Sequence, residues 1–245
     1  MNFPAGNIEG LLVGSDPDSF YTYPVAAAEF DLAGQTMAGN LRHSGQTTLA
    51  DIRTPAYRKK EDIVLNRQAV SIVGSEDLDY LADSLDINEE LAFDGLIRRF
   101  RSDSEAKVPT GPDYGSTLEQ ATEVPGALRR LFLAQCLGAN MIVSDFEGTD
   151  IVPDFRSLSR GVDVGSFDAE TCKFTPDGAT IMITRPNAPC SPPGKLIEAM
   201  YGLPGRDRAK DFVRLGQGRR GFVGMVSKGG QMAIGQSLRF IPYGE

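Results

Sequence analysis

Apolar and polar positions change period several times along the chain. Ile8 to Val13 is a short apolar run closed by Gly14-Ser15-Asp16-Pro17-Asp18, and it reads as a first strand. Ala28-Glu29-Phe30-Asp31-Leu32 alternates and predicts a second. Gly39 to Gln46 is a polar, glycine-punctuated loop, and Ala69 to Val73 is apolar and β-prone. Leu78, Leu81 and Leu85 then follow helical spacing, with Ser75 as candidate N-cap and Glu76 and Asp77 in the first turn. Residues 101–117 are polar and carry Pro109, Gly111, Pro112 and Gly115, which reads as a loop or insertion. Gly126 to Leu137 returns to helical spacing, while Ala139 to Val143 and Thr180 to Thr184 are strand-like. Pro193 to Tyr201 opens a short helix. Gly221 to Ser227, Met232 to Ile234 and Ser237 to Ile241 form a closing β run. Strands outnumber helices and are scattered through the whole length. The pattern predicts a mainly β (α+β) barrel with helical insertions, built as a single domain over residues 1–245.

Composition sharpens this reading in three places. Glycine makes up 27 of 245 residues, about 11% against the usual ~7%, which fits many turns and short strands. The net charge of −8 argues against nucleic-acid and anionic-membrane partners. Basic residues nevertheless cluster at 206, 208, 210, 214, 219 and 220, and again at 42, 53, 58, 59 and 60. Such clusters in an acidic chain suit a small anionic ligand or are two solvated faces. No stretch approaches the ~20 apolar residues that span a bilayer, and the first residues show no basic and apolar leader pattern. The expectation is a soluble, cytoplasmic protein.

Candidate chemistry centres on one of three cysteines. Cys136, Cys172 and Cys190 are an odd set without metal-type spacing, as in a reduced thiol protein. Cys136 lies inside an apolar helical pattern and reads as buried and inert. Cys172 sits in a turn-rich stretch with no framing motif. Cys190 is framed by Pro186, Pro189, Pro192 and Pro193. Proline fixes its own φ and biases its predecessor away from helix, so this thiol is held stiffly. It is either a displayed nucleophile or ligand, or a small residue filling a turn. No Ser/His/Asp elbow, phosphate-binding P-loop or dinucleotide fingerprint occurs.

Five short motifs occur in one order: Gly39-Asn40-Leu41-Arg42-His43-Ser44-Gly45, Leu65-Asn66-Arg67-Gln68-Ala69-Val70-Ser71, Gly138-Ala139-Asn140-Met141-Ile142-Val143-Ser144, Pro189-Cys190 and Gly218-Arg219-Arg220-Gly221-Phe222-Val223-Gly224-Met225-Val226. Together they resemble the MOSC domain family, named after the C-terminal domain of molybdenum-cofactor sulfurases, over residues 30–242. The resemblance implies a closed MOSC-type β-barrel with helices at its mouth. It implies a molybdenum cofactor (molybdopterin) with Cys190 as the molybdenum ligand and catalytic residue. Arg219, Arg220 and Gly221, with Arg42 and Arg67, would meet the cofactor phosphate through arginine's planar fork. Asn140 and Asn187 would read the pterin edge. His43, the sole histidine, is a proton-donor candidate or a loop residue.

Two functions follow from the resemblance. One is an oxidoreductase that reduces N-hydroxylated small molecules and draws electrons from an electron-donor protein. The other is a sulfur (persulfide) or cofactor carrier without turnover of its own, loaded by a cofactor-sulfurating partner. A barrel that has lost its cofactor chemistry is a third possibility. Pyridoxal phosphate is not expected, because in long sulfurases it belongs to a separate domain. Two positions depart from the family pattern, with Asn40 and Gln236 standing where aspartate is usual. An amide keeps an acceptor for backbone N–H groups but cannot titrate.

Overall fold

The computed structural model describes residues 6–14, 22–31, 36–37, 70–105, 114–144, 161–201 and 207–241. Seven strands close a mixed barrel in the order β12 (Ser237–Phe240), β1 (Gly6–Val13), β6 (Met141–Ser144), β5 (Val70–Gly74), β10 (Phe222–Lys228), β9 (Thr180–Pro186) and β7 (Gly161–Asp168). β12 pairs with both β1 and β7 and so shuts the ring. Only β5 and β6 run parallel in it. β2 (Tyr23–Val25) hangs from β1 and β8 (Lys173–Thr175) from β7. β3 (Ala27–Asp31), β4 (Thr36–Met37) and β11 (Gly230–Ala233) form a small separate sheet. The mainly β, α+β barrel with helical insertions expected from the sequence is what the chain forms.

Strand periodicity sorts side chains into two cores. Val70 and Ile72 of β5, Met141 and Val143 of β6, and Val162 and Val164 of β7 fill the barrel interior. Val73 and Ile142, on the opposite faces of the same strands, join Leu12 and Tyr23 under the helices. Alternate residues face opposite sides of a sheet, so each of these strands serves both cores. The helical layer is α1 (Ser75–Ser84), α2 (Glu89–Glu105), α3 (Tyr114–Glu123), α4 (Ala127–Leu137), α5 (Ser191–Tyr201) and α6 (Arg208–Leu215). None of these is long and apolar enough to cross a membrane.

Several boundaries differ from the sequence reading. α1 begins one residue after Gly74, which takes the N-cap position without a side-chain bond, and Ser75 is buried inside the first turn. The expected loop at 101–117 is shorter, because α2 extends to Glu105 and α3 starts at Tyr114. Buried Ala92 and Leu96 continue toward Phe100 at four-residue steps, and Leu118 and Ala121 give α3 its buried face. α5 begins at Ser191, two residues ahead of Pro193. β7 and β8 add strands that the sequence reading did not assign.

One glycine fixes where β10 enters the barrel. Gly221 has φ +65°, a left-handed conformation that side chains disfavour. A Cβ there would overlap the Ile72 carbonyl oxygen of β5. Gly221→Ala is expected to lower unfolding stability by at least ~2 kcal/mol, from forced φ and backbone overlap together. Urea unfolding of the variant tests this, and a loss below about 0.5 kcal/mol would show that the approach relaxes freely.

Candidate functional site

β9 and β10 pair antiparallel, with Phe222 opposite Pro186. The pairing runs one step beyond the strands, because Asn187 N–H donates to the Gly221 carbonyl at 2.8 Å. The segment leaving β9 and the segment entering β10 therefore stay side by side. Arg220 falls beside Ala188, and its Nη1 donates to the Ala188 carbonyl at 2.8 Å and to Cys190 Sγ at 3.2 Å. Nη2 donates to the Leu137 carbonyl at 3.2 Å. Leu137 is the last residue of α4, whose terminal carbonyls lack helical partners and form the negative end of its dipole. Arg220 is only 5% exposed, whereas Cys190 is half-buried. A guanidinium can only donate, so the sulfur is the acceptor, a role a thiolate fills better than a thiol.

The other described candidates take different places. Arg219 does not join Cys190. Its Nη1 lies 3.1 Å from Asp77 Oδ1, and its guanidinium stacks 3.8 Å over the Tyr80 ring, both on α1. Burial pushes the Asp77 carboxyl above its usual value near 3.8, outweighing the lowering by Arg219. Asn140 is fully buried. Its Oδ1 accepts from Ser71 N–H at 3.0 Å, and its Nδ2 donates to the Leu12 carbonyl at 3.1 Å. It braces β5 against β1, and both ends of its amide are used there. Asn187 Nδ2 donates to Ser71 Oγ at 3.1 Å, tying the Cys190 segment to β5. Arg42, Arg67, His43 and Asn40 lie outside the described residues. Gln236 Oε1 accepts from Ala233 N–H at 2.8 Å, so this amide does serve as a backbone anchor.

Ser71, Asp77 and Tyr80 were not singled out as site residues from the sequence. Ser71 closes the Leu65–Ser71 motif, but nothing local announces that it meets an asparagine 116 positions away. The basic cluster at 206–220 is also less open than its composition implies. Arg208 donates to the Leu85 carbonyl and is buried, Lys210 pairs with Asp207, and Arg214 pairs with Asp211. A cleft of about 520 Å³ lies elsewhere, between β1, α3 and α4, and shares no lining residue with Cys190.

The cysteines separate as their local sequences suggest. Cys136 is fully buried against Met200 and the α4 core, and burial pushes its thiol well above the usual range. Cys172 is exposed in a turn at φ +50°.

The chain resembles two characterised coordinate sets to different degrees. Against the crystal structure of the YuaD protein from Bacillus subtilis the TM-score is 0.60, with 23% identity over 97% of this chain and 96% of that one. This likeness shows the fold alone. In sequence, YuaD of Bacillus subtilis (strain 168) is 31% identical over 112 residues, 45% of this chain and 50% of its own length. The alignment thus spans about half the length of that relative, whose name provisionally assigns it to metal-sulfur cluster biosynthesis. YiiM from Geobacillus stearothermophilus gives a TM-score of 0.46 and 14% identity over 98% of this chain and 76% of that one, too weak a likeness to support an argument. No family model matches the chain.

Two measurements check this geometry. In the native protein, iodoacetamide is expected to modify Cys172 and Cys190 and to spare Cys136, read by peptide mass spectrometry; labelling of Cys136 at the same rate would contradict its burial. The second concerns Asp77. A carboxyl raised by burial contributes stability that is present below its unfolded value near 3.8 and is lost as pH rises through its folded value. Asp77→Asn removes that loss, so its stability relative to wild type should improve as pH rises above about 4. The opposite slope would show that the Arg219 pair outweighs burial.

Proposed function

We propose that the chain is a sulfur carrier in which Cys190 accepts sulfur as a persulfide and passes it to a partner protein. The observation that carries this reading is the Cys190–Arg220 pair, a half-buried sulfur held by a buried guanidinium. The chemistry balances without an added oxidant. The Cys190 thiolate attacks the outer sulfur of a donor persulfide, the donor S–S bond breaks, and the donor leaves as its thiolate. The proton of the outer sulfur stays with the new persulfide. Release repeats the exchange toward an acceptor thiolate. The name of the relative YuaD, matched over half of its length, refers to metal-sulfur cluster biosynthesis and is compatible with such a step.

The motif order favours a second reading, with Cys190 as a ligand of molybdenum cofactor in an N–O-reducing oxidoreductase. The described residues fit that group only in part. Cys190 offers one soft ligand. Arg219, Arg220, Asn140 and Asn187, the expected phosphate and pterin contacts, each direct a donor at a protein atom. The sulfur-carrier reading needs only the thiol and its donor, and it takes precedence for that reason.

The test is sulfur loading of purified protein with a low-molecular-weight persulfide, followed by intact-mass and peptide analysis. A gain of about 32 Da on Cys190, kept in Cys172→Ser and lost in Cys190→Ser, is expected. A gain confined to Cys172, or none at any cysteine, would overturn the carrier reading. Stoichiometric molybdenum in protein from a cofactor-producing host, lost in Cys190→Ser, would favour the second reading instead.

A further inference from the structure

α5 starts at Ser191, which makes Cys190 its N-cap residue. An N-cap side chain ordinarily accepts a hydrogen bond from the backbone N–H of the second or third helical residue. Those residues are Pro192 and Pro193, and neither has an N–H. The sequence thus puts a sulfur at the cap and removes both backbone donors that would hold it.

The donor comes from another part of the chain. Arg220 Nη1 stands 3.2 Å from Cys190 Sγ. The guanidinium is itself fixed, by the Ala188 carbonyl beside the cysteine and by the Leu137 carbonyl at the end of α4. The ridge of backbone that carries it is set by the Asn187–Gly221 hydrogen bond. One cation therefore joins the negative end of α4 to the cap of α5, with the sulfur within reach of its Nη1.

We propose that Arg220 is the positioning residue of the Cys190 sulfur, that it replaces the missing helix cap, and that the pair is suited to sulfur donors that carry a negative charge apart from the transferred sulfur, such as a persulfide bearing a carboxylate, over neutral ones. This rests on Cys190 being the working thiol and extends that reading to the class of donor. Arg220 fixes the direction of the sulfur and keeps positive charge against it. An anionic reagent reaching the half-buried sulfur is drawn by that charge, and a neutral reagent of the same size is not.

Two alkylating reagents separate these cases without any cofactor. Iodoacetate is anionic and iodoacetamide is its neutral counterpart. Their rate ratio at Cys190 is measured at one pH and one ionic strength, with N-acetylcysteinamide as the free-thiol reference. Cys136 reports folding, since it is labelled only when the core opens. In wild type, the ratio at Cys190 should exceed that of the free thiol by about 3- to 10-fold and fall with added salt. Arg220→Gln should bring it to the free-thiol value while Cys136 stays protected. Arg220→Lys should keep part of the excess, because a point charge remains while the fork is lost.

A wild-type ratio equal to that of the free thiol would overturn the proposal whatever the variants do. So would an unchanged ratio in folded Arg220→Gln. Should that variant expose Cys136, the wild-type ratio, its salt dependence and Arg220→Lys decide the matter. An Arg220-dependent ratio in a protein that never takes up persulfide would remove the carrier function and leave the positioning role standing. Persulfide uptake with a ratio indifferent to Arg220 would do the reverse.

Discussion

The site depends on one pairing that continues past the ends of its strands. β9 and β10 are antiparallel, and the bond from Asn187 N–H to the Gly221 carbonyl carries the ladder one step beyond Pro186 and Phe222. That step keeps Ala188 and Arg220 together, and Cys190 follows two residues later. Were the segments to diverge at Pro186, Arg220 would have no route to the sulfur. The same step demands a glycine, because the backbone at 221 lies against the Ile72 carbonyl of β5. Strand register, a positive φ and a cysteine contact are thus one constraint seen at three levels.

Adjacent arginines take opposite parts in this arrangement. Arg219 turns to α1, where Asp77 and the Tyr80 ring receive it. Arg220 turns inward to the end of α4 and the start of α5. A buried guanidinium is costly unless its donors are satisfied, and carbonyls at the end of a helix are suited to it by the sign of their dipole. Hydrogen bonds to a charged group contribute about 1.5–3 kcal/mol each where they are well formed. The pair therefore ties helices to barrel on two fronts, and only the inner member reaches the sulfur.

Local pattern in the sequence went as far as local physics governs the fold. The leucine spacing of α1 and the apolar face of α4 are set by burial every three or four residues, and both were legible. So was the burial of Cys136, which follows from the same helical face. The closure of the ring was legible only as a preference for many short strands, because β12 pairs with β1 and β7, both of which lie more than 60 residues earlier in the chain. The bracing contacts of Asn140 were not legible for a comparable reason. Its motif suggested a ligand contact, but its partners, Ser71 and Leu12, lie on strands 69 and 128 positions away. Composition could count the basic residues of 206–220 but not the acids and carbonyls that meet them.

The filled interior decides where chemistry can be. Apolar side chains from β1, β5, β6, β7, β9, β10 and β12 occupy the barrel core, so a ligand has no room along its axis. Among the described residues, the Cys190–Arg220 pair sits instead at the end where β9 leaves and β10 enters, beside the ends of α4 and α5. There the chain Asn187–Ser71–Asn140–Leu12 links the cysteine segment to β5 and β1 through successive hydrogen bonds. Proline on both sides of Cys190 limits its own backbone, and this network limits the strand end from which it emerges. A thiol in an ordinary loop must be ordered each time it reacts. This one is ordered by the fold, and the register of β10 brings the Arg220 guanidinium to its sulfur.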